Sequence, residues 1–371
     1  MTVVSAIYLC DLRGEDSHVW RASLRRGRTE GNHMTPAKLF VGTIVLSVAV
    51  SFGCCGTAPR GEWMKHAKYG VLLNFYGGQP QWGNQKFQDL VNAFDVQTLA
   101  DQLDDAGVDY VIFTVGQNSG YFCSPNATYD KYVGLKPGER CSIRDLPDEL
   151  ADALATHDIK MMLYMIARAP ISNKHAMDKL GDIWHGHAAP QEFQLRWEKV
   201  IREWSLRYKE KLAGWWFDAA YNTAGYDDLT KPANWNTWAE AARAGYPGRV
   251  LTFNPGQGLH VAFLKPTPQQ DYTAGEVDEW GATPKENPAP EGMQWQILSF
   301  MGKYWGIPDG PYKPDEWMID YIKTVNRQGG VVTIDVALIP GGTIYPPHLK
   351  QLIAIGKGLR ETPETPKRER D

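Results

Sequence analysis

Short apolar runs alternate with amphipathic segments along most of the chain. Uninterrupted apolar runs predict buried strands, which fall at residues 69–76, 109–114, 160–167, 214–218, 249–253, 270–276 and 330–338. The clearest helix is predicted at residues 191–212, because Phe193, Trp197, Ile201 and Trp204 recur at steps of three and four. Further helices are predicted at 95–106 and 144–157, with Asp95 and Asp145 as N-caps, and at 234–244, 314–328 and 347–359.

This alternation of strands and helices indicates an α/β protein with a parallel sheet covered by helices. Roughly eight strand-like runs over about 300 residues favour a (β/α)8 barrel of the TIM type over an open sheet. No GxGxxG motif follows the first strand, so a dinucleotide-binding fold is disfavoured.

The N-terminal region has the layout of a processed leader. Residues 39–53 are apolar, follow Lys38, and are too short for a comfortable membrane span of roughly 20 residues. Residues 1–58 are therefore predicted to be an extension with a signal peptide, and Met34 is a candidate true start. Cys54 is a candidate lipid attachment point, and a single uncleaved anchor helix is the alternative. The barrel is predicted over 59–360 and a disordered tail over 361–371, in a protein exported to the periplasm or the outside.

Composition narrows the class of partner. The net charge of −4 argues against nucleic acid, and 43% hydrophobic residues argue against disorder over most of the length. With 14 Trp and 17 Tyr, the chain suits a sugar-binding cleft, although a merely aromatic-rich core explains the same counts. An oligosaccharide or glycoconjugate is the expected partner. No cofactor is expected, and no CxxC or HExxH motif indicates a metal.

Two cysteines remain outside the N-terminal segment. Cys123 and Cys141 close a short loop, and a disulfide between them would stabilise the fold by about 3 kcal/mol. Export favours that disulfide, with two free buried thiols as the alternative.

Carboxylates and amides follow the predicted strands, where the active site of a barrel lies. Asp218 emerges behind three large aromatic residues, and Glu276 and Glu279 follow the sixth run. Two carboxyl groups among amides and aromatics are what glycoside hydrolysis requires, whereas a Ser or Cys with a His partner is missing. Asp218 could instead be a cap or a buried acceptor, and either glutamate a solvated loop charge.

Other residues near the strand ends are candidates for contacting a sugar. Amide and guanidinium groups would bind hydroxyls, and aromatic rings would form apolar walls. The alternatives are backbone hydrogen bonding at loop ends for the first set and core packing for the second. The candidates are Asn74, Gln117, Asn118, Arg168 and Asn254, and Tyr76, Trp82, Trp216, Trp280 and Trp305.

Four stretches of the sequence resemble motifs of one enzyme family. Trp63 with residues 68–74 is similar to W…KFGIFIHWG, 113–122 to TKHHDGF, 215–218 to LWFDG, and 304–306 with 325–344 to SWGY…LLLNVGP..DGTI. Their order and spacing resemble glycoside hydrolase family 29, the α-L-fucosidases, over residues 63–359. The resemblance implies a (β/α)8-like barrel and makes Asp218 the nucleophile. Family members usually carry a C-terminal β-sandwich, for which this chain ends too early.

Several family positions carry different residues here. Asn74 stands where the family has a sugar-binding His, Gln117 and Asn118 replace a His-His pair, and Ser119 replaces an Asp. Gln296 stands where the family has a Glu, its usual acid/base. Amides still bind hydroxyls but supply no charge, so the specificity for L-fucose is open.

The favoured hypothesis is an exo-acting glycosidase that works by double displacement. Asp218 attacks the anomeric carbon, and Glu276 or Glu279 protonates the leaving oxygen. The two carboxyl groups should then lie about 5–5.5 Å apart, against roughly 6.5–9.5 Å in an inverting enzyme. The alternatives are a hydrolase of a different deoxy or substituted sugar and a non-catalytic carbohydrate-binding protein on a decayed barrel.

Overall fold

The computed structural model describes residues 60–184, 187–221 and 224–361. The predicted leader, with its start at Met34 and its lipid site at Cys54, lies outside the described residues, as does the tail from 362 onward. No helix in the described ranges is long and apolar enough to cross a membrane.

Seven parallel strands form the central sheet, in the order β5-β4-β3-β2-β1-β7-β6. All seven are almost entirely buried, as expected for a parallel sheet that is covered on both faces. The strands are β1 Tyr69–Leu73, β2 Tyr110–Thr114, β3 Lys160–Ile166, β4 Leu212–Asp218, β5 Val250–Phe253, β6 Trp295–Phe300 and β7 Gly330–Val336. Only β6 falls outside the runs predicted from the sequence.

Residues 271–277 connect the two edges of this sheet. Asp271 N–H donates to the Leu251 carbonyl of β5 (2.9 Å), and Val277 N–H donates to the Leu298 carbonyl of β6 (2.9 Å). Isolated parallel bridges pair Tyr272 with Gln294 and Glu276 with Leu298. The sixth predicted run therefore lies in the eighth strand position, but it is an irregular segment rather than a strand. With it, the curled sheet gives the predicted (β/α)8 architecture.

Helices follow most strands, as the periodicity predicts. Within residues 60–361 no β-sandwich follows the last helix, and a short hairpin of β8 Leu338–Ile339 and β9 Thr343–Ile344 precedes it. Short 3-10 turns lie at Pro80–Trp82, Lys209–Lys211 and Ala224–Tyr226. The helices are α1 Glu62–His66, α2 Phe87–Asn92, α3 Val96–Ala106, α4 Ala127–Val133, α5 Leu146–Ala155, α6 Lys174–Leu180, α7 Gln191–Tyr208, α8 Trp235–Ala242, α9 Asp315–Arg327 and α10 Pro346–Arg360.

The two predicted N-caps behave differently. Asp95 caps α3, because its carboxylate accepts from the Thr98 N–H (3.0 Å). Asp145 occupies the N-cap position of α5 but makes no capping hydrogen bond. Its carboxylate accepts from the Tyr208 hydroxyl (2.8 Å) instead, so the predicted N-cap position is confirmed but the side chain does not cap the helix.

Cys123 and Cys141 are both free and buried, so the predicted disulfide is wrong in this structure. The Cys123 thiol faces the carbonyls of Thr114 (3.5 Å) and Val115 (3.4 Å). The Cys141 thiol interacts with the Asp130 carboxyl. Separate polar partners thus hold the two sulfurs, and burial raises the pKa of both thiols well above the usual value.

We expect Gly275→Ala to lower the free energy of unfolding by about 2 kcal/mol or more. Gly275 has a φ of +72°, and a Cβ there would collide with the Gln296 carbonyl of β6, where the irregular segment closes the barrel. Urea denaturation followed by circular dichroism measures the change.

Gly281→Ala is the matched control. No atom lies within 4 Å of the position a Cβ would take at Gly281, so we expect a change within about 0.5 kcal/mol. Equal unfolding free energies for the two variants would contradict the close approach at Gly275.

Candidate active site

A cavity of about 170 Å³ opens at the carboxyl ends of the strands. Residues at or just beyond the ends of β1, β2, β3, β4 and β6 line it, together with the irregular segment that closes the barrel. Asp218 and Glu276, two of the predicted catalytic residues, both line this cavity. The topology of a parallel barrel explains their meeting, since all strands end on the same rim.

Asp218 is the last residue of β4, and its side chain is half-buried. Because side chains alternate along a strand, Trp216 lines the same cavity while Phe217 packs outward against Trp238. Oδ1 of Asp218 accepts from the Ala219 N–H (2.7 Å) and from Nδ2 of Asn254 (3.0 Å). Ala219 has a φ of 53°, an uncommon conformation for a residue with a Cβ and one that concentrates at functional sites.

Glu276 is buried, at 7% exposure. Oε1 accepts from Nε2 of Gln257 (3.0 Å), and Oε2 accepts from Nδ2 of Asn254. Burial raises the pKa of Glu276 above the usual range, and the negative charge of Asp218 raises it further. The hydrogen bonds from Gln257 and Asn254 act in the opposite direction but are weaker. The carboxyl group therefore keeps its proton to a higher pH than a free glutamate does.

Asn254 joins the two carboxyl groups through a single atom. Its Nδ2 donates to both Asp218 and Glu276, and the side chain is fully buried at the end of β5. Two hydrogen bonds that share one donor nitrogen keep the nearest oxygens of the two carboxyl groups within about 6 Å of each other. This residue was predicted as a sugar contact, and the structure places it between the two acids.

Tyr164 of β3 was missed by the sequence reasoning. Its hydroxyl donates to Oδ2 of Asp218 (2.5 Å) and accepts from Nε2 of Gln117 (2.6 Å). The ring stacks on Trp216, with 5.4 Å between ring centroids. Burial and the charge of Asp218 raise the pKa of Tyr164 well above the usual value, so the phenol stays a donor. The sequence signal that could have identified Tyr164 is its hydroxyl group, which lies inside an otherwise apolar strand.

Aromatic residues form the outer wall of the cavity. Trp305 and Tyr76 are half-buried, whereas Tyr221 and Tyr304 are 42% and 57% exposed. The charge of Asp218 is the main cause of the raised pKa of Tyr221, and burial adds to it. Tyr76 and Trp305 were predicted, but Tyr221, Tyr304 and Gln257 were not. Tyr221 lies three residues after Asp218, so its proximity in sequence was a usable clue.

Asn74 lines the cavity and is held by a buried carboxyl group. Its Nδ2 donates to Oδ1 of Asp335 (2.7 Å), and the Gly306 N–H donates to Oδ2 (2.6 Å). Asp335 of β7 is 1% exposed, and burial raises its pKa to about 7 despite the two hydrogen bonds.

Six predicted residues do not line this cavity, and one of them is Asn254, which lies between the two acids. Arg168 is buried in an ion pair with Asp182 (2.5 Å), and its guanidinium also donates to the His187 carbonyl. Trp82 is buried in the core, where its indole N–H donates to the Tyr76 carbonyl (2.9 Å). The other three are Asn118, which follows Gln117 in the loop after β2, and Glu279 and Trp280, which line a neighbouring cavity.

The described residues contain no group of three or more His, Cys, Asp or Glu that is arranged to hold a metal ion.

We expect Asp335→Asn to change how stability depends on pH. A carboxyl group whose pKa rises from 3.8 to about 7 on folding stabilises the folded state only while protonated. The stability of the wild type minus that of Asp335→Asn should therefore fall as the pH rises from roughly 4 to 7. Urea denaturation across this range measures it.

The exposed Asp320 on α9 provides the control, as Asp320→Asn. Its stability profile should run parallel to that of the wild type. Parallel profiles for Asp335→Asn as well would contradict the assignment of a protonated buried carboxyl group.

Comparisons with solved structures show the same fold in enzymes that act on fucosides. An endo-fucoidan hydrolase of glycoside hydrolase family 107, MfFcnA9, has a TM-score of 0.58 at 17% identity, over 81% of this chain and 64% of its own. A second, P5AFcnA, has a TM-score of 0.61 at 14% identity, over 82% and 94%. Alpha-L-fucosidase isoenzyme 1 from Paenibacillus thiaminolyticus has a TM-score of 0.58 at 17% identity. The match covers 81% of this chain and 75% of that enzyme.

The chain spans 64% of MfFcnA9 and 53% of a further family 107 endo-fucoidan hydrolase, MfFcnA4, so it covers only part of these two enzymes. At these identities the structures show the fold alone. No match was found among curated proteins. The family model described as "Alpha-L-fucosidase" matches residues 49–364, which is most of the chain. The barrel and the match together establish that the chain belongs to the α-L-fucosidase family.

Proposed function

We propose that this protein is a retaining glycoside hydrolase that removes an α-L-fucosyl residue, or a closely related deoxy sugar, from a glycan. Asp218 is the nucleophile and Glu276 is the acid/base. One observation carries the proposal: the two carboxyl groups line one cavity and share the amide nitrogen of Asn254.

The surroundings of Asp218 suit a nucleophile. Ala219, Asn254 and Tyr164 all donate to it, which stabilises negative charge on the carboxylate. Oδ1 accepts from Ala219 and Asn254, and Oδ2 accepts from Tyr164. Gln117 donates to the Tyr164 hydroxyl and so holds it in place, and this hydroxyl in turn orients Oδ2 of Asp218.

In the first step, Oδ2 of Asp218 forms a bond to the anomeric carbon while the bond from that carbon to the leaving oxygen breaks. Glu276 transfers its proton to the leaving oxygen, which departs as a neutral alcohol. The raised pKa of Glu276 supplies this proton near neutral pH. Asp218 itself helps to raise the pKa of Glu276, because a nearby negative charge disfavours a second one.

In the second step, Glu276 is an anion and takes a proton from water. The resulting hydroxide oxygen bonds to the anomeric carbon, and the bond to Asp218 breaks. Two inversions leave the sugar with its original configuration. The spacing supports this course, since about 6 Å between nearest oxygens is an upper bound and leaves little room for the water that an inverting pair must hold.

A second candidate is a hydrolase for a different deoxy or substituted sugar. The nitrogen of Asn74 is engaged by Asp335, and that of Gln117 by Tyr164. Asn74 and Gln117 stand where the family has histidines, so the hydrogen-bond donors that face the sugar hydroxyls differ from those of the family. A panel of aryl glycosides tests this, and turnover of another glycoside well above the α-L-fucoside would replace the first candidate.

Removing the nucleophile should abolish hydrolysis and allow chemical rescue. We expect Asp218→Gly to lower kcat on 4-nitrophenyl α-L-fucopyranoside by about three orders of magnitude or more. Azide should then restore release of nitrophenol, because it fits the space of the carboxylate and attacks the anomeric carbon directly. Nuclear magnetic resonance should show the β-azide, the product of one inversion.

Asp218→Asn, which keeps the side chain's size, should also lose activity, while Asp320→Asn on the exposed face of α9 should not. Wild-type turnover by either Asp218 variant would exclude this residue as the nucleophile.

Glu276 should control the alkaline side of the pH profile. Activity requires its proton, so kcat/KM in the wild type should fall as the pH rises through the raised pKa of Glu276. Glu276→Gln should lose about 10²–10⁴-fold on substrates with poor leaving groups and should lack this alkaline fall. Azide should accelerate the variant and yield the α-azide, because it attacks the glycosyl-enzyme.

Glu316→Gln, at an exposed position on α9, is the control and should keep the wild-type profile. An unchanged alkaline fall in Glu276→Gln would assign the acid role to another group.

A further inference from the structure

We propose that Asn74 determines specificity for one sugar hydroxyl group, and that Asp335 is a positioning residue that decides which end of the Asn74 amide faces the sugar. With Asp335 as a carboxylate, the amide presents its oxygen to the cavity. With Asp335 protonated, it presents its nitrogen. The inference rests on the proposed function and adds a requirement on the substrate, whose hydroxyl group at this position must be free to donate.

The two side chains meet because their strands are neighbours. β1 and β7 pair in parallel with Leu72 opposite Asp335, and Asn74 directly follows the end of β1. Asn74 lines the catalytic cavity and is 5% exposed. Asp335 is 1% exposed and is not among the residues that line the cavity. It therefore reaches a bound sugar only through Asn74.

The backbone at Gly306 fixes the role of one oxygen of Asp335. The Gly306 N–H can only donate, and it donates to Oδ2 of Asp335 (2.6 Å). The hydroxyl oxygen of a carboxylic acid accepts poorly, so a proton on Asp335 belongs on Oδ1. This is the oxygen that faces Asn74.

The direction of the hydrogen bond to Asn74 therefore depends on this proton. Oδ1 of a carboxylate can only accept, and Nδ2 of Asn74 donates to it (2.7 Å) in this structure. Among the described residues, no donor pairs with the oxygen of the Asn74 amide, which leaves that oxygen to a ligand. A protonated Oδ1 donates instead. The amide then turns half a rotation, accepts through its oxygen, and directs its nitrogen into the cavity.

Both forms of Asp335 exist near neutral pH. Burial raises the pKa of Asp335 to about 7, and the hydrogen bonds from Gly306 and Asn74 oppose this increase only in part. The strand neighbours of Asp335, which are Leu72 in β1 and Phe300 in β6, carry no charge. A change of one or two pH units around neutrality therefore changes which form predominates.

The titratable groups around the pair are acidic or phenolic. Within the described residues, no lysine, arginine or histidine lines the cavity. The charge of Asp335 helps to raise the pKa of Tyr76 to about 12, so this phenol stays neutral across the range of interest. The other titratable groups that line the cavity with Asn74 are Tyr164, Asp218, Tyr221, Glu276 and Tyr304.

The test compares substrates that differ in one hydroxyl group, using the full-length wild type. One is 4-nitrophenyl α-L-fucopyranoside, and the others carry fluorine in place of the hydroxyl group at C2, C3 or C4, one position at a time. Fluorine cannot donate a hydrogen bond, so it is opposed by the Asn74 oxygen but tolerated by the nitrogen. The catalytic carboxyl groups titrate alike for every substrate and cancel from a ratio of kcat/KM values.

For the position that meets Asn74, we expect the ratio of kcat/KM on the hydroxyl substrate to that on the fluoro substrate to increase with pH. The increase should be about tenfold between about pH 5 and about pH 9. Its midpoint should lie near the pKa of Asp335, about 7.

Asp335→Asn should hold this ratio at its low-pH value. The oxygen of the new amide accepts from the Gly306 N–H, so its nitrogen faces Asn74 and donates as the protonated carboxyl group does. Asn74→Ala removes the responding amide and should also give a ratio that does not change with pH. Asp320→Asn, at the exposed position on α9, should keep the wild-type increase.

A wild-type ratio that is constant with pH at all three positions would overturn the inference, as would an increase that survives in Asp335→Asn. Calorimetry of L-fucose and its fluoro derivatives binding to the wild type separates this failure from that of the proposed function. If the wild type binds these sugars with the pH-dependent preference but hydrolyses no glycoside, the proposed function fails and the role of Asn74 stands. If it binds none of them, both fail.

Discussion

The candidate active site depends on one amide nitrogen that lies between two carboxyl groups. Asn254 donates to Asp218 and Glu276 together, and this contact sets how close the two acids are. Two carboxylates at this separation repel each other, so one of them favours its protonated form. Burial selects Glu276 for that form, because Asp218 is half-buried and surrounded by donors. A single geometric constraint thus brings a buried and a half-buried carboxyl group together in one cavity.

The barrel supplies the constraint. Asp218 ends β4, Asn254 follows β5, and Glu276 lies in the irregular segment that bridges β5 and β6. These are three consecutive positions around the barrel, so their side chains converge without any long loop. The irregular segment departs from strand geometry at Gly275, whose φ of +72° brings the backbone close to β6. Glu276 follows Gly275 directly and lines the cavity.

Much of the fold could be predicted from the sequence, and part of the site. Apolar runs located six of the seven strands, and position at a strand end identified Asp218, Glu276, Asn74 and Gln117, all of which line the cavity. Tyr164 was missed because it lies within a strand, where a tyrosine is normally predicted to be a core residue. Arg168 and Trp82 were predicted to contact a sugar because they lie near strand and loop ends. Instead, Arg168 forms a buried ion pair with Asp182, and Trp82 packs in the core. Identity and spacing alone do not distinguish a side chain that faces a cavity from one that faces its neighbours.

The sequence by itself determined the alternation of strands and helices, because periodicity and apolar content depend only on residues near each other in the chain. It also determined which carboxyl groups stand at strand ends. Only the tertiary structure placed Glu276 and Glu279 apart, since the two are three residues apart in sequence but line different cavities. It likewise left Cys123 and Cys141 as separate thiols. Distance, burial and shared partners set these outcomes, and they arise only when segments far apart in the chain pack together.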